Sequence, residues 1–520
     1  MKSCCLLLIG LFVVSCSKEE VKADAVKADA VKADAVQVAA SKIDIALLTD
    51  YEQALKVDRE RPSGRTMPAL PDQLPEFAED AAFLRRACID LAGRLPRADE
   101  ARAFLADASP DKRARLTDAL LQEPGAVEVR YRMLAEAFRV KDDGELAHFL
   151  RRAAADDMPY DQIVATLIGG GLLTRRDDGV VLRTATEVSS AVLGIDMYCA
   201  MCHDHPYGDT TERQCYEFAA CLAKKDGLEP VRLPRDYLYK DGTPGEVVKP
   251  RFLPRSGGLL ESKKPRAMHK PDDLAKWIVS RDDERLATMA ALRAWSVLFG
   301  KPGLLLNRTV GGVDEAPAWH DVHPKPLNNK VSSNCFGPPV RDYLPVKSLE
   351  LRELPRAAHL MTQEFRRAGM RIGAFQRILA RTAAYSRAGH AVGVQWGAVY
   401  LVPSPQIRRL PAEVLWSAVS DDRAVLQNEV PPAAHPLRML GRGTRERADE
   451  SCEPISHELA RFLMNGAMPP VSARDADTLF LEMLGRLPSA REKTAILEQK
   501  ATPEDVAWSL VNSVEFLFRS

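Results

Sequence analysis

Asp80-Ala-Ala-Phe83-Leu84-Arg85-Arg86-Ala87-Cys88-Ile89-Asp90-Leu91-Ala92-Gly93-Arg94-Leu95-Pro96 decides the fold class. Phe83, Ala87 and Leu91 recur at i, i+4 and i+8, one stripe of an amphipathic helix, and Gly93 with Pro96 stops it. The same grammar repeats along the chain. Helices are expected over 98–105, 110–121, 127–138, 145–154 and 158–168, where Gly169 to Gly171 end the run. Further helices are expected over 186–195, 214–223, 271–299, 351–368, 372–385, 410–420, 457–464, 473–484 and 506–518. Strand signals are few. The expected fold is mainly α: two helical domains joined by an irregular Pro/Gly-rich connector, with few short strands.

An internal repeat reinforces this. Leu91-Ala-Gly-Arg-Leu-Pro96 recurs as Met483-Leu-Gly-Arg-Leu-Pro488, each after an apolar helix and each followed four residues later by a glutamate, Glu100 or Glu492. One helical hairpin unit near each end is a structural pseudo-repeat, too isolated for a solenoid, which needs several stacked copies. Arg and Lys runs on these helices read as solvated faces.

The 520 residues allow two to four domains, and 46% apolar content is ample for buried cores. Lys plus Arg balance Asp plus Glu at 72 each, so no overall field points to nucleic acid. Aromatics are only 6%, which argues against a tryptophan-rich carbohydrate cleft.

The chain begins with a basic Lys2 and a short apolar run, Leu6 to Val14, too short to span a bilayer. Val13-Val14-Ser15-Cys16 then resembles a bacterial lipoprotein cleavage box, with Cys16 as the lipidated first residue. Val21 to Ala35 is Val-Lys-Ala-Asp-Ala three times over, a low-complexity spacer. The expected organisation is a signal peptide at 1–15, lipidated Cys16 with a tether over 16–41, and an N-terminal helical domain over 42–223. A connector at 224–270 and a C-terminal helical domain at 271–520 complete it. The expected location is exported and lipid-anchored, periplasmic or on the outer surface, with the membrane held through Cys16 and a redox or surface protein as partner.

Chemistry concentrates in Cys199-Ala-Met-Cys202-His203-Asp-His205. CxxCH is the spacing of a c-type haem attachment site. Two thiols one turn apart can each form a thioether with a porphyrin vinyl group, and His203 then lies where its imidazole can bind iron. Two alternatives stay open: zinc held by Cys199, Cys202, His203 and His205, or a small disulfide. A second axial ligand would be His269, His320, His323, His435, His457, Met197, Met201 or Met268, and no spacing selects among them. His320-Asp-Val-His323 has metal-ligand spacing but reads as two solvated loop histidines. His457-Glu-Leu-Ala-Arg lacks the second histidine of a zincin. There is no P-loop, dinucleotide fingerprint or nucleophile elbow. Seven cysteines follow Cys16, at 88, 199, 202, 215, 221, 335 and 452, and an odd number leaves at least one thiol unpaired. Cys88 sits on an apolar face and reads as a small core residue.

Taken together these motifs resemble exported proteins of planctomycetes and verrucomicrobia that join two domains of unknown function, families 1549 and 1553, often alongside cytochrome c domains. Asp80 through Pro96, Met158-Pro-Tyr-Asp-Gln162, and Cys199 through Ala220 are similar to the N-terminal family. Phe299-Gly300, Phe375 to Tyr385, Arg408-Arg409-Leu410 with Glu413, and Leu510 to Phe518 are similar to the C-terminal one, and Lys249-Pro-Arg-Phe252 to their connector. The resemblance spans nearly everything from about residue 45. It implies a cytochrome-like haem site and no established activity. The chain departs from the pattern at Leu292-Arg-Ala-Trp295, where the family has Asn-Arg-Val-Trp, and at Cys452, where it has two cysteines.

Overall fold

The computed structural model describes residues 35–56, 73–173, 181–195, 197–204, 210–222, 230–253, 271–280, 284–300, 354–390, 401–420, 430–445, 457–465, 471 and 474–519. The leader, Cys16 and the tether up to residue 34 lie outside them, as do most of 300–343 and the expected site residue His205.

The architecture is mainly α, as expected. Helix α1 covers 35–56. Then come α2 (Asp80–Ala92), α3 (Ala98–Ala106), α4 (Lys112–Leu121), α5 (Pro124–Ala137), α6 (Glu145–Ala155), α7 (Tyr160–Gly169) and α8 (Val181–Val188). A π-helical turn, Ser189–Leu193, and a 3-10 turn, Cys199–Met201, lead to α9 (Glu212–Leu222). The middle of the chain forms α10 (Pro271–Ile278), α11 (Arg285–Phe299), α12 (Arg356–Arg367), α13 (Ile372–Ala380) and α14 (Ala383–Ser386). It closes with β1 (Arg408–Arg409), α15 (Ala412–Val419), α16 (Pro436–Met439), α17 (His457–Asn465), α18 (Ala476–Leu484), α19 (Ala490–Glu498), α20 (Pro503–Val511), α21 (Val514–Leu517) and β2 (Phe518–Arg519). The two short strands pair antiparallel, Arg408 with Arg519 and Arg409 with Phe518.

Where boundaries differ from the sequence expectation, local chemistry explains it. The expected 372–385 helix breaks because Thr382 caps α14, its hydroxyl accepting from the Tyr385 N–H at 3.1 Å. The expected 506–518 helix breaks likewise at Ser513, whose hydroxyl accepts from the Phe516 N–H at 3.1 Å, and the chain then turns into β2. The expected 271–299 helix is two helices. Trp295 is a core anchor at 2% exposure, whereas Trp277 is only partly buried and stacks on Phe252, centroids 4.5 Å apart.

The apolar interior falls into two clusters. The larger runs from Ala39 on α1 through α2–α9 and α10–α14 to Leu401. The smaller joins Ile89 to Leu410, Trp416, Phe480, Leu510 and Phe516. Helix α2 therefore faces both.

The sequence repeat is a repeat in space. Gly93 and Gly485 both adopt the left-handed conformation, φ 63° and 75°, which a side chain disfavours. After each glycine an arginine grips two carboxylates. Arg94 bonds Glu100 (2.8 and 2.9 Å) and Glu123 (2.8 and 2.6 Å). Arg486 bonds Glu492 (2.8 and 2.8 Å) and Glu515 (2.7 and 2.7 Å). The sequence separations match, 6 and 29 residues in both copies. Such two-sided charge-assisted pairs fix a hairpin geometrically as well as energetically.

The two copies meet through buried charges, among them an arginine of a run that read as solvated in the sequence. Arg85 is 5% exposed and donates to the carbonyls of Met483 (2.8 Å), Phe518 (2.8 Å) and Phe516 (2.5 Å). Asp90 is 1% exposed, accepts from the Tyr385 hydroxyl at 3.1 Å, hydrogen-bonds Arg519, and has Arg408 at 3.6 Å. Burying a carboxylate costs several kcal/mol unless it is paired and hydrogen-bonded. Arg519→Ala should therefore lower unfolding free energy by about 3 kcal/mol in urea titrations, whereas Tyr385→Phe should lower it by about 1 kcal/mol.

His390, 9% exposed, shares a 2.7 Å hydrogen bond with the Ser404 hydroxyl through Nδ1. Burial pushes its pKa down from 6.5 to about 4. The neutral ring is the folded form, so its contribution is complete above pH 6.5 and is lost as pH falls toward 4. On the order of 3 kcal/mol should disappear across that window. His390→Gln should flatten this limb of the stability–pH curve measured by chemical denaturation.

Candidate functional site: the Cys199–His203 turn

The turn is built by the elements on either side. Helix α8 runs into the π-helical turn, which Gly194 closes in the left-handed conformation at φ 64°. Two buried arginines of α11 hold the carbonyls there. Arg285 donates to Leu193 at 3.4 Å, and Arg293 donates to Ala191 and, at 3.4 Å, to Ser190. The chain then makes the 3-10 turn, with the Cys202 and His203 N–H groups both donating to the Cys199 carbonyl at 3.2 Å. The turn packs on α9, the helix that follows. The expected placement of CxxCH between two helices is what the structure has.

Cys199 is half-buried, and Cys202 and His203 are exposed. The His203 Nδ1 lies 2.8 Å from the Asp204 carbonyl. A carbonyl can only accept, so Nδ1 carries the hydrogen and the Nε2 lone pair of the neutral ring faces outward. Metal-binding histidines are commonly oriented in this way, by a hydrogen bond on the other ring nitrogen. Both thiol-bearing residues and the ring are reachable from outside, and the tautomer is the one an iron ligand needs. The three residues thus fit the haem c expectation.

The zinc alternative requires His205, which lies outside the described residues. Among the described residues no group of three or more His, Cys, Asp and Glu side chains is arranged to hold a metal ion. Of the second-ligand candidates, Met197 is fully buried and Met201 packs partly buried against the larger cluster. His435 instead caps α16, its Nδ1 accepting from the Leu437 N–H at 3.1 Å, and lies edge-on to Trp416. Met268, His269, His320 and His323 lie outside the described residues, and so does the side chain of His457.

Three features of the site were not singled out in the sequence. The connector folds back over the turn. An antiparallel bridge, Arg232 with Val247, holds this segment, and Arg213 of α9 pins it through Glu246 at 2.9 Å. The Tyr239 hydroxyl accepts from the Asp204 N–H at 2.8 Å. Asp204 in turn accepts the Glu212 N–H at 2.8 Å, joining the exit of the turn to the start of α9. Glu212 itself is 2% exposed, and its carboxyl makes no hydrogen bond or ion pair among the described residues. Burial, with Asp204 and Asp236 adding to it, pushes its pKa up to about 7. A carboxylate opening a helix is ordinary in sequence. Asp236 and Asp241, which add to this effect, lie on the connector, so no local pattern announces it.

With this geometry in place the comparisons can be read. The N-terminal region matches a family of unknown function. Residues 72–186 and 175–226 match the family described as PSCyt2, protein of unknown function (DUF1549). The match takes in α2 with its repeat turn and the whole Cys199–His203 turn. No curated protein and no solved structure matches the chain.

The other described cysteines are buried, while Cys335 and Cys452 lie outside the described residues. Cys88 is fully buried beside Glu100, and Cys215 and Cys221 are buried in α9, their thiols pushed up to about 12 by burial. In haem-free protein at pH 8, Cys88, Cys215 and Cys221 should react with iodoacetamide at least about 100-fold more slowly than in urea-unfolded chain, read by peptide mass mapping.

Proposed function

We propose that the protein is an exported, lipid-anchored haem c protein that exchanges electrons with a redox partner. Cys199 and Cys202 anchor the porphyrin by thioether bonds and His203 supplies the proximal nitrogen. Bound haem supplies one-electron redox chemistry. The protein's part is to fix the ring of His203, hold the turn against α9 and leave the site reachable from one side. The observation that carries this reading is the Nδ1 hydrogen bond of an exposed His203, which directs Nε2 outward directly after the two cysteines.

Export supplies the setting, since haem is ligated to CxxCH outside the cytoplasm. Cys16 provides the membrane attachment and the Val-Lys-Ala-Asp-Ala spacer the reach. Among the described residues no helix is long and apolar enough to cross a membrane. The C-terminal part, from Phe299-Gly300 through Arg408-Arg409-Leu410 to Leu510–Phe518, is proposed to be a domain of the 1553 family, completing the two-domain arrangement.

The test is a pyridine haemochrome spectrum and intact mass of the full chain, produced in an exporting host with the haem-ligation machinery. A haem c spectrum with covalent porphyrin mass is expected, together with acyl mass on Cys16. Both haem signals should vanish in the Cys199→Ser, Cys202→Ser double variant. A porphyrin-free chain that carries zinc stoichiometrically would overturn the haem assignment.

A further inference from the structure

Helix α1, the helix that follows the tether, is apolar on two sides. Inward, Ala40, Ile43 and Leu47 are fully buried in the larger cluster. Two carboxylates fix the helix in that seat. Asp50 accepts from the Ala357 N–H at 2.7 Å, and Asp44 accepts from the Ala383 and Ala384 N–H groups at 2.7 and 2.9 Å. Outward, Val38, Ile45 and Leu48 are 47%, 65% and 37% exposed. Spacings of seven and three residues put them on one face of a helix. An ordinary surface helix is polar on the side turned away from its core. A groove of about 380 Å³ runs along this face between α1 and α12, with Lys42, Ile45, Thr49, Arg356, His359 and Leu360 in its lining.

The charges on the same two helices are sorted by sign. Lys42, Lys56, Arg356 and Arg367 are exposed. Of the acids, Asp44 and Asp50 are turned to N–H groups, and buried Glu364 is held by Lys42 at 3.7 Å and by Arg367. Glu52 is the one acid of α1 and α12 that is exposed. The outer face is therefore apolar along α1 and cationic around it. That is the composition of a helix lying in the headgroup layer of an acidic bilayer, apolar side chains down and cations among the phosphates.

The chain's own course puts α1 where such a layer would be. The start of α1 at residue 35 is nineteen positions after Cys16, at most about 65 Å of fully extended chain. Tethering turns a second contact with the same membrane into an intramolecular event, so a modest patch is enough.

We propose that the outer face of α1, with Arg356 and Arg367 of α12, rests on the surface of a phospholipid bilayer with acidic headgroups and orients the anchored protein there. The inference rests on the lipid-anchored reading above. Val38, Ile45 and Leu48 enter the headgroup layer, and the four exposed cations meet its phosphates.

The test is flotation of the mature chain carrying Cys16→Ser, exported behind an ordinary cleavable signal peptide with the haem-ligation machinery. The vesicles are equimolar phosphatidylglycerol and phosphatidylcholine, or phosphatidylcholine alone. Binding to the acidic vesicles should be at least about tenfold tighter than to the neutral ones, since each cation near an acidic surface adds roughly fivefold, and should weaken in high salt. Ile45→Glu and Arg356→Glu should each lower it about tenfold or more. Leu497→Glu, at a side chain 77% exposed on α19, should leave it unchanged. All three positions are at the surface, and urea midpoints check that each variant keeps its fold. Failure to bind acidic vesicles, or binding that neither Ile45→Glu nor Arg356→Glu lowers, overturns the proposal and leaves the anchor reading intact. A dimer in sedimentation velocity that Ile45→Glu dissociates would put a second copy on this face and also overturn it. Absence of acyl mass on Cys16 of the wild type overturns both.

Discussion

A single buried carboxylate, Asp90, organises the molecule. It lies on α2, the helix that faces both apolar clusters, and is satisfied only from elsewhere: the Tyr385 hydroxyl, Arg519 on β2, and Arg408 on β1. Hydrophobic burial brings these elements together but is indifferent to their angles. The charge is not. A carboxylate at this depth is stable only if the arginine and the phenol arrive in register, so the two-stranded ribbon and α14 have one position relative to α2. Arg85, one turn earlier on the helix, repeats the logic with carbonyls, binding Met483, Phe516 and Phe518. The pairing gives specificity first and stability second.

The candidate site inherits its rigidity from the same larger cluster. Helix α11 packs on α12 and α13 and, with its buried arginines, takes hold of the π-helical turn. A π turn commonly marks a place where regular helical bonding has been given up for function. Here it redirects the chain from α8 into the 3-10 turn of Cys199–Met201. Asp204 then links that turn to α9, and the connector covers one side through Tyr239. The site is thus supported from α9, α11 and the connector, while Cys202 and His203 remain outward.

Much of the scaffold was legible because helices advertise themselves. The stripe Phe83, Ala87, Leu91 and the stop at Gly93 are local signals, and the structure follows them. The repeat was legible as far as Glu100 and Glu492, which sit six residues from their arginines. Glu123 and Glu515, twenty-nine residues on, were not, because a long-range ion pair leaves no periodic trace. For the same reason Arg85 and Arg86 read as solvated charges and proved buried, and the burial of Asp90 beside them left no local sign. Helix breaks at Thr382 and Ser513 depend on a single hydroxyl competing with an otherwise continuous apolar pattern. At the site, the cysteines and His203 were readable from spacing. The His203 tautomer and the burial of Glu212 were not, since the first depends on where a neighbouring carbonyl comes to rest and the second on tertiary packing.

The partners of Arg85 and Asp90 carry a consequence for biosynthesis. Helix α2 emerges early, yet its buried charges find their counterparts more than four hundred residues later, at Phe516, Phe518 and Arg519. Until residue 519 has been made, Asp90 and Arg85 lack these partners, although α2 can already pack on α3, α4 and α5. The chain's early and late segments are thus closed on each other by the charges of one helix.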